Sequence, residues 1–237
     1  MFGYHRYYWG FDPTYLLLIL GMLLSVAASA KLKSTFATYK RVQSRCGLTG
    51  AEVARRVLRS AGITDVEVVP IRGNLTDHYD PRTKKVCLSE GVYNKTSLAA
   101  AGVAAHECGH AVQHAINYSF LGFRTALVPV ANFGANLAWP LFFIGLIMSY
   151  RPLLMGGILL FSLAVLFQLV TLPVEVNASS RALHLLESSG ILGQEENRGA
   201  RKVLTAAALT YVAALASSVL QLLRLVILAG GRGRDDD

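Results

Sequence analysis

Four stretches of the chain contain no Asp, Glu, Lys or Arg: Pro13–Ala30, Thr125–Tyr150, Pro152–Val174 and Val203–Leu223. Each is apolar and long enough to cross a bilayer as a helix, which takes about 17 to 25 residues. The pattern predicts transmembrane helices at about 13–32, 125–150, 152–173 and 203–228. Residues 33–123 are mixed in polarity and read as a soluble insert within a single membrane-embedded domain.

Inside that insert, Thr49-Gly50-Ala51-Glu52 is a capping box, which opens an amphipathic helix carrying Val53, Ala54, Val57, Leu58 and Ala61. Gly62 is placed to stop it. Short strands are predicted at Val66–Val69 and Lys84–Leu88, separated by Asn74 to Tyr79 and an Asp80-Pro81 turn. Ser97–Val112 is alanine-rich and free of proline, so it reads as a helix with Asn94 or Thr96 as its N-cap. After the third apolar run, Pro173 suits the first turn of a new helix over about 174–189, with Ala182, Leu183, Leu185 and Leu186 on its apolar side and Gly190 beyond its end. The fold class expected is mainly α: four transmembrane helices with a small α+β domain.

Composition supports the membrane reading. Of 237 residues, 53% are hydrophobic and 16% charged, against about 25% charged in ordinary soluble domains. Ala28-Ser29-Ala30 resembles a signal-peptidase site, but only Arg6 precedes the apolar run, while Lys31, Lys33, Lys40, Arg41 and Arg45 follow it. That charge order places the N-terminus outside and the Lys31–Arg124 and Glu175–Lys202 regions on the cytoplasmic side, as in a bacterial cytoplasmic membrane. Arg224, Arg232 and Arg234 oppose this mildly, accompanied by Asp235 to Asp237. The net charge of +8 gathers at helix ends, where it matches anionic membrane lipids, and the chain carries no nucleic-acid motif. Cys46, Cys87 and Cys108 lack CxxC spacing and suggest neither a disulfide framework nor a thiolate cluster. The sequons at Asn74, Asn94, Asn117 and Asn177 all fall on the cytoplasmic side and read as chance.

The candidate chemistry lies at His106-Glu107-Cys108-Gly109-His110. On a helix, a spacing of four turns about 40° and rises about 6 Å, so both imidazoles can reach one zinc ion, with Glu107 beside it to take a proton from water. Catalytic zinc usually takes three protein ligands and keeps a fourth position open. His114, eight residues past His106, is about 12 Å further along a straight helix and too far to share the metal. Glu175 is better placed, because the second and third membrane helices form a hairpin that returns it to the side holding His106 and His110.

The segments VAAHECGHAVQH at 103–114, VPVANFGANLAWPL at 128–141 and LPVEVNASSRAL at 172–183, in this order with apolar helices between them, resemble the YugP-like membrane-bound neutral zinc metallopeptidases. That family is related to the gluzincins, which include the CAAX prenyl proteases and HtpX-like proteases. The resemblance covers nearly the whole chain. It implies one Zn2+ held by His106, His110 and Glu175, with Glu107 as general acid/base in peptide hydrolysis. Gluzincins commonly place an aspartate four residues after the glutamate ligand to orient a zinc-binding histidine; here that position is Ser179, a weaker partner. Asn74, Leu75, Thr76, Asp77 and His78 look like the edge strand that pairs with substrate backbone in such peptidases, an ordinary hairpin being the alternative.

Arg181 and His184 fall on the far side of a straight helix from Glu175, leaving Tyr211, His78 and Tyr79 as possible oxyanion donors. Two other functions compete with a peptidase acting at the membrane surface on a protein or peptide substrate: a noncatalytic adaptor pinned by zinc, and a protease cleaving within the bilayer. The first needs a fourth protein ligand, and the second needs a motif helix of bilayer length. A transporter is disfavoured because the four runs lack ionisable residues at their centres.

Overall fold

The structure, a computed structural model, describes residues 12–231. Arg6, Arg232, Arg234 and Asp235 to Asp237, which bear on the charge pattern, lie outside the described residues. The elements in chain order are α1 (Tyr15–Tyr39), α2 (Gly50–Ser60), β1 (Glu67–Ile71), β2 (His78–Asp80), β3 (Lys85–Ser89), α3 (Leu98–Ala115), α4 (Ser119–Ile147), α5 (Arg151–Ser188) and α6 (Gln194–Gly231). The chain is mainly helical with a small sheet, as its pattern predicts.

Helices α1, α4, α5 and α6 are long and apolar enough to cross a membrane. Leu16, Met22, Phe133, Ile147, Leu159 and Val219 on them are exposed, which suits a hydrocarbon solvent rather than water. All four run beyond the charge-free stretches, because a helix need not end where the apolar surroundings do.

The largest departure from expectation is α5, which continues unbroken through Pro173. The separate helix anticipated from about 174 is its C-terminal part. An internal proline gives up one backbone hydrogen bond, whereas ending a helix strands up to four carbonyls and beginning another strands four N–H groups. In apolar surroundings, continuing costs less.

Contacts divide the chain into two compact units. The first takes residues up to Val26, Pro129–Leu166 and residues from Ala213. Phe142, Leu154, Ile158 and Leu225 form its core, and the Trp139 ring stacks on Phe143. Ser217 Oγ donates to the Gly21 carbonyl at 2.7 Å, and a Cβ on Gly21 would come within 3.2 Å of Ser217. This small-residue contact binds α1 to α6 in the manner of membrane helices.

The second unit takes Ala27–Val128 and Phe167–Val212. Its core joins Val53, Val57 and Leu58 of α2 to Val86 and Leu88 of β3, Ala104 and Cys108 of α3, and Leu186 of α5. The sheet order is β1-β3-β2, with β1 parallel and β2 antiparallel to β3. The capping box at Thr49 and Glu52 forms in full, and Gly62 follows the helix with φ +73°. Ser97, rather than Asn94 or Thr96, caps α3, its hydroxyl accepting from Ala100 N at 3.2 Å. Beyond the other end of α3, Asn117 takes φ +52°, a left-handed conformation that asparagine tolerates.

The expected substrate strand is shorter than the resemblance implies. His78–Asp80 forms an edge strand, but Asn74, Leu75, Thr76 and Asp77 precede it in a loop. Gly73 at φ +108° and Leu75 at φ +56° turn the backbone away from an extended path. Asp77 anchors this loop, accepting from Ser89 N at 2.7 Å and Ser89 Oγ at 2.9 Å.

Candidate metal centre

Helix α3 presents His106 and His110 one turn apart, their rings edge-to-face with centroids 4.8 Å apart. Glu175, on α5, meets both. Its Oε2 lies 3.3 Å from His106 Nε2 and 3.6 Å from His110 Nε2. Ligand atoms bonded at 2.0 to 2.1 Å to one tetrahedral ion stand about 3.3 Å from one another. Among the described residues, these three ligand atoms lie within 4.8 Å of one another, and the two contacts of Glu175 are near that spacing.

The burial is informative. Glu175 is only 3% exposed, yet Oε2 makes no hydrogen bond. A buried carboxylate oxygen lacking a donor and facing two imidazole nitrogens is a site built for a cation. Two histidines and one carboxylate are also a usual zinc set with an open fourth position.

Gly109 sets the approach of the two helices. A Cβ there would sit 2.5 Å from the Ala178 carbonyl oxygen and 3.2 Å from Ala178 Cα. Glycine at the fourth place of the His-Glu-Cys-Gly-His sequence therefore lets the backbone of α5 pass against α3, bringing Glu175 to the histidines. Gly102 makes a milder contact of this kind with Ala200 of α6.

Glu107 is buried beside the three, and burial raises its carboxyl above the usual carboxylate range while His106 and His110 draw it back. A cleft of about 640 Å³ opens onto these side chains and is also lined by Tyr79, His114, Arg124 and Tyr211. A second recess of about 150 Å³ meets His106, Glu107, Glu175 and Tyr211, with Leu32, Phe36, Leu75, Val103, Leu204 and Ala208 among its walls.

Residues 14–230 match the family described as "Putative neutral zinc metallopeptidase". The chain belongs to this family. It is 49% identical over 221 residues to "Putative membrane protease YugP" of Bacillus subtilis (strain 168), a match covering 93% of this chain and 98% of that protein. No solved structure matches.

Several other side chains singled out by sequence have distinct positions. Ser179 reaches His106, its Oγ 3.1 Å from Nδ1. His114 stays outside the ligand trio, its Nδ1 2.8 Å from Tyr79 Oη. Arg181 turns to Asn177, and His184 is exposed. Cys108 fills the core.

Sequence reasoning missed Gln113 and Arg124. Gln113 Oε1 lies 3.0 Å from His110 Nδ1, and Arg124 Nη2 lies 4.0 Å from Glu175 Oε1. The available signal for Gln113 was its place three residues after His110, on the same helical face.

Gly109→Ala should reduce zinc binding and lower the melting temperature, reflecting an overpacking cost of about 1 to 3 kcal/mol. Gly122→Ala, where an added Cβ meets nothing within 4 Å, should leave zinc stoichiometry unchanged. Metal analysis and thermal melts of the two purified variants check the contrast; wild-type metal content in Gly109→Ala would rule out the close approach as the device that assembles the site.

Proposed function

We propose that this protein is a membrane-bound zinc metallopeptidase that hydrolyses peptide bonds of a protein or peptide substrate at the cytoplasmic surface of the membrane. The observation that carries this reading is the placement of buried Glu107 beside His106, His110 and the undonated oxygen of Glu175, all opening onto one cleft. His106, His110 and Glu175 hold one Zn2+ per chain. When bound, zinc supplies a Lewis acid that polarises a carbonyl and makes water more acidic.

Glu107 accepts the proton of the attacking water and delivers it to the leaving amine. Its burial suits both acts, since a carboxyl held above its ordinary range is a stronger base once ionised. Tyr211 borders both the cleft and the recess with Glu107 and Glu175, so we assign its hydroxyl to the oxyanion. Arg124 adds positive charge to the same cleft.

The apolar recess takes a substrate side chain next to the scissile bond. An apolar cavity of about 150 Å³ holds a benzene-sized group, so leucine or phenylalanine suits this recess in size. Asp77, Glu107 and Glu175 among its walls disfavour an acidic side chain.

Exposed Lys31, Lys33, Lys40 and Arg41 follow the apolar part of α1 and support a cytoplasmic orientation. Cleavage at the membrane surface is favoured over cleavage within the bilayer because α3, which carries the motif, packs with α2 and the sheet. A structural zinc in an adaptor would call for a fourth protein ligand, and His114, the next histidine along α3, is engaged by Tyr79.

Glu107→Gln should retain zinc and lose peptide cleavage by at least about 100-fold. Equal turnover by both proteins defeats the mechanism. Glu175→Ala should lose tight stoichiometric zinc, as metal analysis will show. Tyr211→Phe should keep zinc and lower kcat by about 100-fold; an unchanged kcat removes the hydroxyl from the oxyanion role.

Ala208→Phe should fill the recess and lower the kcat/KM ratio for Leu over Ala peptides by about 10-fold or more. Paired peptides differing only beside the scissile bond measure this ratio, and an unchanged ratio places the side chain elsewhere.

A further inference from the structure

We infer that Gln113 is a positioning residue for zinc, held in one orientation by Asn177 and Arg181 so that His110 turns an unprotonated Nε2 toward Glu175. This rests on the zinc reading above and concerns His110, whereas Ser179 meets His106.

The orientation follows from groups whose hydrogen-bonding roles are fixed. Arg181 only donates, so its Nε, 2.7 Å from the side-chain oxygen of Asn177, identifies that atom as an acceptor. Gln113 Nε2 lies 2.9 Å from the same oxygen and 2.8 Å from the Val174 carbonyl oxygen, which also only accepts. The amino side of the Gln113 amide must therefore face α5. Its Oε1 then faces His110 Nδ1 at 3.0 Å, and that nitrogen must donate.

A neutral imidazole protonated at Nδ1 keeps its lone pair on Nε2. That nitrogen is the one 3.6 Å from Glu175 Oε2. With the amide reversed, its amino group would meet Nδ1 and drive the ring proton onto Nε2, into the place a metal requires. Gln113 is fully buried, which makes the wrong orientation costly because it would oppose two donors or two acceptors without water.

The two histidines are thus supported unequally. Ser179 can donate or accept, so its 3.1 Å contact with His106 Nδ1 steadies the ring without dictating its tautomer. Gln113 does both for His110.

Zinc affinity, measured by chelator competition on full-length protein carrying Glu107→Gln, tests the inference without relying on turnover. Visible spectra of the cobalt-loaded protein report ligand geometry. Adding Gln113→Leu should weaken zinc about 10- to 100-fold and alter the cobalt bands. Asn177→Leu should weaken zinc less, about 3- to 10-fold, since Val174 still holds one side of the amide. Asn177→Asp keeps an acceptor for both Arg181 and Gln113 and should rescue affinity to within about 2-fold of the parent. A merely structural role would change melting temperature while leaving the metal affinity and spectrum of folded protein intact.

Parental affinity and spectrum in folded Gln113→Leu would overturn the inference. If that variant does not fold, the Asn177 pair decides: equal affinities for Asn177→Leu and Asn177→Asp overturn it. A parent that binds no zinc overturns the metal reading and this inference together, whereas tight zinc in every variant overturns the inference alone.

Discussion

The proposed site depends on how closely two backbones can approach. His106 and His110 belong to a short helix in the mixed-polarity part of the chain, and Glu175 to a long apolar one. No local sequence preference brings them together. Gly109 does so by leaving no side chain where the Ala178 carbonyl oxygen passes, 2.5 Å from the position a Cβ would occupy. Glycine inside a helix costs about 1 kcal/mol relative to alanine. Here that local cost is set against a contact reaching across helices, which an alanine would hold open. The same approach lets Ser179 and Asn177 meet α3, so the orienting bonds and the ligands share one cause.

Much of this was legible in the chain. Charge-free runs reveal four helices because the energetic penalty of a charge in hydrocarbon is strong enough to survive as composition. The capping box at Thr49 was legible because its partners are three residues apart. The His106 and His110 pair was legible because helical periodicity alone defines it, and Glu175 because two successive apolar helices between the motifs predict that the chain comes back toward them.

What the sequence concealed depends on contacts between distant segments. Pro173 reads locally as a beginning, yet α5 passes through it because interruption would strand more backbone groups than one proline does. The resemblance to zinc peptidases puts Asn74 to Asp77 on a substrate-binding edge strand, but left-handed Leu75 and the grip of Asp77 on Ser89 make it a loop. The orienting role of Gln113 leaves little local sign, because its partners Val174 and Asn177 are 61 and 64 residues away. Asn177 even carries a competing sequon pattern, although its side chain is committed to Gln113 and Arg181.

The electrostatics connect metal binding to folding. Glu107 and Glu175 are nearly excluded from solvent and act on each other as like charges. Burying two carboxylates side by side is unfavourable unless nearby positive charge or proton donors compensate. Arg124 supplies part of this, but at 4.0 Å from Oε1 it leaves Oε2 undonated. A divalent cation among His106, His110 and Glu175 would satisfy that oxygen and both imidazole lone pairs at once. Because the unfolded chain does not hold these groups together, ligand binding to the folded form would stabilise the packing of α3 against α5 by mass action. The acidic, water-poor setting that makes Glu107 a stronger base would then also make metal loading part of the stability of this unit.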